Sequence, residues 1–264
     1  MCATCGCDHD EMVIKDSHFD EDEHLHDHQH DHTHGHDHHH HETVEMEKDV
    51  LLKNNLIAER NRGYLEAKNI LAFNLVSSPG AGKTSILEKI IPDLLKKFPV
   101  YVIEGDQQTT FDAARIEKTG AKTVQVNTGK GCHLEAEMVN QAIKRLRLAN
   151  NSILLIENVG NLVCPALFDL GETKRIVIYS VPEGDDKPLK YPHIFESSDL
   201  CVINKIDLLP YLDFNIRKAK DDALRINHHL EFFETSARDG SGLEFVTNYF
   251  LHELEAFQKE IVID

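Results

Sequence analysis

Between residues 1 and 41 the chain carries thirteen of its eighteen histidines and three of its six cysteines. The stretch opens Cys2-Ala3-Thr4-Cys5-Gly6-Cys7 and closes His36-Asp37-His38-His39-His40-His41. Imidazole and thiolate hold borderline and soft transition metals such as nickel, copper and zinc. So many donors in so short a run fit a protein that handles metal in quantity. A second group lies deeper in the chain. Gly131-Cys132-His133-Leu134-Glu135 sits where a strand is expected to turn into a helix, and Cys164 comes four residues after Gly160. Cys132 is then expected near a helix N-terminus, where the dipole draws a thiol toward thiolate. Two thiolates and one imidazole meeting at a sheet edge would form a metal site, with water or a second chain completing it. Spacing alone leaves open that these are three unrelated small buried residues. Cys201, inside the apolar run 200–204, reads as core.

A different chemistry is written in Ser77-Ser78-Pro79-Gly80-Ala81-Gly82-Lys83-Thr84-Ser85. Backbone N–H groups of such a loop converge on phosphates at a helix N-terminus. Gly80, Ala81 and Gly82 permit the close approach, Lys83 reaches the β- and γ-phosphates, and the Thr84 hydroxyl ligates Mg²⁺, with Ser85 next on the helix. Ser77 stands where the usual phosphate loop has its first glycine. Asn204-Lys205-Ile206-Asp207 resembles the N-K-x-D element of GTPases, whose carboxylate accepts two hydrogen bonds from guanine. Adenine lacks that donor pair, so the carboxylate would be left unpaired. Ser236-Ala237 resembles the S-A element that touches the guanine carbonyl, and the three segments together favour GTP over ATP. Two further acids end strands: Asp106 in Glu104-Gly105-Asp106, and Glu157 in Glu157-Asn158-Val159-Gly160. Either is able to hold Mg²⁺ or to orient the attacking water, so Lys83, Asp106 and Glu157 are the candidate catalytic residues.

These residues need a scaffold. Short Val/Ile/Leu runs over 70–76, 100–104, 123–126, 153–157, 175–181, 200–204 and 231–234 alternate with helical patterns over 83–97, 110–118, 134–148, 212–227 and 243–258. The expectation is an α/β fold, a three-layer P-loop NTPase with a mostly parallel sheet covered on both faces. Chemistry gathers at the carboxyl ends of such strands, where the motifs lie. Residues 1–43 are read as a metal-binding tail, 44–69 as a linker helix and 70–264 as the GTPase domain. The helix, over 43–68, has a mostly apolar stripe of Val50, Leu51, Leu52, Leu56, Ile57, Leu65 and Ala67.

Charge is uneven. Residues 1–49 hold fifteen Asp/Glu and two Lys, a net of −13 that leaves −4 of the total −17 for the rest. The tail has too few large apolar residues to offset its ordering entropy and is expected to be disordered without metal. The remainder offers no basic nucleic-acid face. No membrane span or secretion signal is apparent, and cysteines at ligand spacing point to a reducing cytoplasm.

With the motifs E-G-D-Q-Q-T, V-N-T-G-K-G-C-H-L, I-E-N-V-G-N-L-V-C-P and K-P-L-K-Y-P added, the chain resembles the HypB-type hydrogenase nickel incorporation proteins. That resemblance implies a GTPase, binding GTP and GDP with Mg²⁺, that dimerises and delivers Ni²⁺ to the large subunit precursor of nickel–iron hydrogenase. It also implies a partner metallochaperone, HypA. It makes Cys2, Cys5 and Cys7 a tight nickel site, and Cys132, His133 and Cys164 the domain's own nickel or zinc site near a dimer interface. The histidine-rich stretch resembles the nickel-storing extension of some members. Urease-type nickel GTPases share the phosphate loop, but their metal motif is Cys-Pro-His, whereas here Cys164-Pro165 precedes Ala166. A passive storage protein is opposed by intact Lys83, Thr84 and Asp207.

Overall fold

The computed structural model describes residues 39–106, 111–129 and 131–261. Of the tail read over 1–43, residues 1–38, with Cys2, Cys5 and Cys7, lie outside the described residues, and 39–43 belong to a helix that starts at His39. Two compact units divide between residues 49 and 50, and the second carries every motif discussed below.

Seven parallel strands form the sheet: β1 (Ile70–Ser77), β2 (Val100–Asp106), β3 (Lys122–Asn127), β4 (Ser152–Gly160), β5 (Lys174–Ser180), β6 (Leu200–Asn204) and β7 (Glu231–Glu234). Their order across the sheet is β3-β2-β4-β1-β5-β6-β7, with every neighbouring pair parallel. The central strand β1 is apolar except for Asn74 and Ser77 and is buried throughout, as a strand covered on both faces must be.

The helices are α1 (His39–Ala67), α2 (Lys83–Leu94), α3 (Phe111–Glu117), α4 (Ala136–Leu146), α5 (Lys187–Lys190), α6 (Pro192–Glu196), α7 (Ile216–Ile226) and α8 (Leu243–Ile261). Strand alternation sorts the core. Leu71, Phe73 and Leu75 of β1, with Val100, Val102, Ile153 and Leu155, pack against α2 and α8. On the other face Ala72, Ile103, Leu154 and Ile156 pack against Val139 and Ile143 of α4, while Val177 and Ile203 pack beneath Ile194 and Ala219. The short helices α5 and α6, in a stretch given no element by the sequence reading, start at prolines and cover this second face.

The apolar stripe of α1 is only partly buried. Val50, Leu52 and Leu56 of the apolar stripe are exposed, and the buried residues are Asn54, Ala58, Asn61 and Leu65. These recur at helical spacing, so they form a true face. What that face meets is backbone. Asn54 donates to Asp169 O at 2.7 Å and accepts from Ala136 N–H at 2.9 Å, and Asn61 donates to Ala136 O at 2.9 Å and Leu170 O at 3.0 Å. Loop carbonyls and amides under a helix need polar partners, which leucine cannot supply.

Candidate functional site

The phosphate loop lies between β1 and α2. Gly82, the residue before α2, has φ +103°, and a Cβ there would collide with the Asn204 side chain, so glycine is required twice over. Gly160 at the end of β4 abuts the same loop, where a Cβ would come within 2.9 Å of Pro79 Cα. Ser77, the departure from the usual pattern, has a role of its own. Its hydroxyl accepts from Lys83 Nζ at 2.6 Å and donates to Ser78 O at 2.6 Å, parking the lysine without a ligand.

Lys83 and Thr84 are both buried, and the Thr84 hydroxyl donates to Glu157 Oε1 at 2.6 Å. The other Glu157 oxygen is buried without a partner. Burial raises the Glu157 pKa, against the Lys83 charge and the Thr84 hydrogen bond; burial likewise lowers that of Lys83, against Glu157. Ser85 accepts from Arg115 at 3.1 Å, and Arg115 is otherwise paired with Glu88 and Asp112.

Asp106 closes β2 at intermediate exposure. The carboxylate in register with Glu157 is instead Glu104, which the sequence reading passed over. Glu104 is 3% exposed, one of its oxygens has no partner, and burial followed by the charge of Glu157 pushes its pKa up to about 8. The sequence shows only that Glu104 and Asp106 share a strand face; the place of Glu104 opposite Glu157 comes from strand register.

The far end of the cradle is assembled by Asn204. It donates to Ala81 O at 2.8 Å and accepts from Ala237 N–H at 3.1 Å, so one buried side chain ties phosphate loop to S-A segment. Lys205, with φ +63°, donates to Gly80 O at 2.6 Å. Asp207 accepts from the Ser236 hydroxyl at 2.8 Å and faces Arg238 at 3.7 Å. Residues 123 and 125 positions apart in sequence thus line one groove.

Cys132, His133 and Cys164 also meet. Their ligand atoms lie within 4.8 Å of one another, the only such trio of His, Cys or acid groups among the described residues. The two Sγ atoms are 2.9 Å apart, Cys132 Sγ is 3.6 Å from His133 Nδ1, and His133 Nε2 is buried without a partner. The His133 ring rests on Phe168 at 3.9 Å between centroids. The expected dipole effect on Cys132 is not found. Helix α4 starts at Ala136 with Glu135 as its cap, four residues beyond the thiol. Burial, then the hydrogen bond and charge of Cys164, push Cys132 up to about 11 instead. Burial also lowers His133, opposed by Glu135. A soft cation would replace the thiol protons and meet a neutral imidazole, a donor set that fits nickel or zinc. Cys201 is fully buried and separate.

Residues 71–234 match the CobW/HypB/UreG nucleotide-binding domain. The hydrogenase maturation factor HypB of Rhizobium leguminosarum bv. viciae is 54% identical over 201 residues, which cover 76% of this chain and 67% of that one. The probable hydrogenase maturation factor HypB of Methanocaldococcus jannaschii is 44% identical over 206 residues, 78% of this chain and 93% of that one. The chain belongs to the HypB family. Among solved HypB structures, that of the Helicobacter pylori protein in complex with nickel aligns with a TM-score of 0.74 and 39% identity, covering 77% of this chain and 96% of that one. The CobW/HypB/UreG domain match runs from the second residue of β1 to the last of β7, so it takes in the phosphate loop, the cysteine–histidine cluster and the N-K-I-D segment. Among the described residues no helix is long and apolar enough to cross a membrane.

Proposed function

We propose that the chain is a GTP-hydrolysing nickel metallochaperone that binds Ni²⁺ at Cys132, His133 and Cys164 and passes it to the large subunit precursor of nickel–iron hydrogenase, in concert with HypA. The observation that carries this reading is the cluster of two thiols and an imidazole, 4.8 Å across, on the chain that also holds Thr84 against Glu157. Nickel here is cargo. The thirteen tail histidines would store it, with Cys2, Cys5 and Cys7 as a tighter site.

Binding of GTP asks several residues to change partners. Lys83 leaves the Ser77 hydroxyl for phosphate oxygens, and the Gly80–Gly82 backbone cradles them. Asp207 exchanges Ser236 for the guanine N1–H and amino group, with Ala237 and Lys205 beside the base. A divalent cation fits beside Thr84 and Glu157, since the pair shares a hydrogen bond and Glu157 keeps one buried oxygen unpartnered. Mg²⁺ held there would neutralise charge on the β- and γ-phosphates. Asp106, at the end of β2, is then the acid placed to orient the attacking water. Turnover is slow, because Arg115 is committed to Glu88, Asp112 and Ser85 rather than aimed at phosphate.

Val163 and Leu167, both exposed, flank Cys164. A homodimer closing over them would cover the metal and shield it from water, and relaxation of the 157–164 segment after hydrolysis would release it. The test is nickel affinity of the full chain with Cys2, Cys5 and Cys7 changed to serine, measured with GDP and with a non-hydrolysable GTP analogue. The two states should differ in affinity and in dimer fraction. Equality in both would end the coupled-release reading.

A further inference from the structure

The end of β4 faces two ways. Successive strand side chains point to opposite faces, so Glu157 lies on the α2 face beside Thr84 and Asn158 on the other. Asn158 is 1% exposed. Its Oδ1 accepts from Leu134 N–H at 3.1 Å, one residue past His133, and from Val159 N–H at 2.9 Å. Its Nδ2 donates to Asn74 Oδ1 at 3.3 Å.

From Asn74 the chain of contacts continues across the sheet. Asn74 donates to Glu172 Oε1 at 3.0 Å, and the same oxygen accepts from Arg175 Nε at 3.0 Å and Nη2 at 2.7 Å. Arg175 then donates to Ala166 O at 3.3 Å and Phe168 O at 3.1 Å, two and four residues past Cys164. Phe168 in turn carries the His133 ring. Both halves of the cysteine–histidine cluster are therefore tethered to one buried asparagine, whose neighbour in sequence touches the phosphate-loop threonine. Buried hydrogen-bond networks carry coupling by moving between discrete arrangements rather than by yielding gradually.

We propose that Asn158 is a positioning residue that transmits the state of the nucleotide cradle to the cysteine–histidine cluster, directly through Leu134 and indirectly through Asn74, Glu172 and Arg175. When Glu157 gives up Thr84 to a bound nucleotide, the end of β4 re-seats and Asn158 resets both arms, changing how closely the thiols and imidazole converge. The proposal rests on the coupled-release reading above and names the residue that carries it.

The experiment uses the full chain with Cys2, Cys5 and Cys7 changed to serine, Ni²⁺ alone as probe, and sulfur-to-nickel charge-transfer absorbance as readout. The tail histidines are silent in that band. Coupling between two sites is typically about 5–150-fold in affinity, and Asn158→Ala should bring the ratio between GTP-analogue and GDP states to within about twofold of one. Asn158→Asp, which keeps an acceptor toward Leu134, should restore part of the ratio. A residue that merely supports the fold would weaken nickel equally in both states; an unchanged ratio in Asn158→Ala overturns the proposal. Equal affinities in the parent chain overturn the coupled-release reading itself and the proposal with it. Hydrogen exchange on the parent guards against a variant that does not fold. Amides in 131–135 and 158–160 should change protection between the two nucleotide states, and identical protection is the overturning result.

Discussion

The nucleotide cradle and the cysteine–histidine cluster sit on one sheet but are built in opposite styles. The cradle's donors are committed to partners within it, Lys83 to Ser77, Thr84 to Glu157, Asn204 to Ala81, Lys205 to Gly80 and Ser236 to Asp207, while one oxygen each of Glu104 and Glu157 is left buried and unpartnered. A ligand there must break bonds that already exist, so binding rearranges the residues around it. The cluster holds few bonds of its own and leaves His133 Nε2 buried and unpartnered. A cation there takes the place of the thiol–thiol hydrogen bond and of the thiol protons. In the proposed function the first region is the switch and the second the receptacle, with the buried side chains between them as the link.

If the two regions are separable in their chemistry, each should fail alone. Lys83→Ala should cut GTP turnover by about 10²–10³-fold, as loss of a phosphate-side charge does, while nickel–thiolate absorbance is retained. Loss of both in a folded protein would merge the regions. The converse is Cys164→Ala. Inner-site nickel affinity should drop by more than the about 10–100-fold that loss of an outer partner costs, with phosphate release still measurable. Asp207→Asn should weaken GTP on the order of 10–100-fold, the worth of a charged hydrogen-bond pair, and improve binding of xanthosine triphosphate. Unaltered base preference would remove Asp207 from the guanine site.

Acidity separates the regions further. Cys132 stays a thiol below about 11, so its proton is displaced by the metal, and nickel affinity should rise with pH by about tenfold per unit for each proton released. His133, lowered by burial, is already neutral there and adds nothing to the slope. A titration flat between pH 6.5 and 8 would deny the thiols a place in the site. The smallest effect concerns Glu104. Its folded pKa of about 8 lies above the ordinary 4.5, so the folded chain binds a proton that the unfolded chain has lost, and stability falls as pH rises between them. Glu104→Gln should therefore raise the Tm of the ligand-free protein at pH 8, by about 2–4 °C per kcal/mol recovered, and change it little at pH 5. An equal shift at both values would assign the change to packing.

Much of this was legible in the residues because local rules act over short spans. A glycine-rich turn between an apolar run and a helix has few other meanings, and short Val/Ile/Leu runs set between helical patterns made the seven strands readable. Which side of α1 meets the domain is not written in its apolar stripe, for a reason equally physical. The surface available to α1 includes carbonyls and amides at 136 and 169–170, so Asn54 and Asn61 are buried with Leu65 while Leu52 and Leu56 are exposed. Cys132 was read as an activated thiol because its helix was expected to begin at 134; the actual start at Ala136 removes the dipole and leaves burial in command. Glu104 went unnoticed because nothing in the tetrapeptides around it marks it, only its register with Glu157.

By itself the sequence determined the inventory: a phosphate loop, an N-K-I-D segment with Asp207, thiols and imidazoles of the kind that hold soft metals, and the parallel α/β sheet to carry them. These follow from residue type and spacing along a few turns of chain. Tertiary structure alone decided who faces whom. It joined Cys132 and His133 to Cys164 across 31 residues, set Glu104 against Glu157, and threaded Asn158, Asn74, Glu172 and Arg175 into one buried path. Such pairings depend on strand order and register, which no local pattern encodes, since each strand's neighbour is chosen by the packing of the whole sheet.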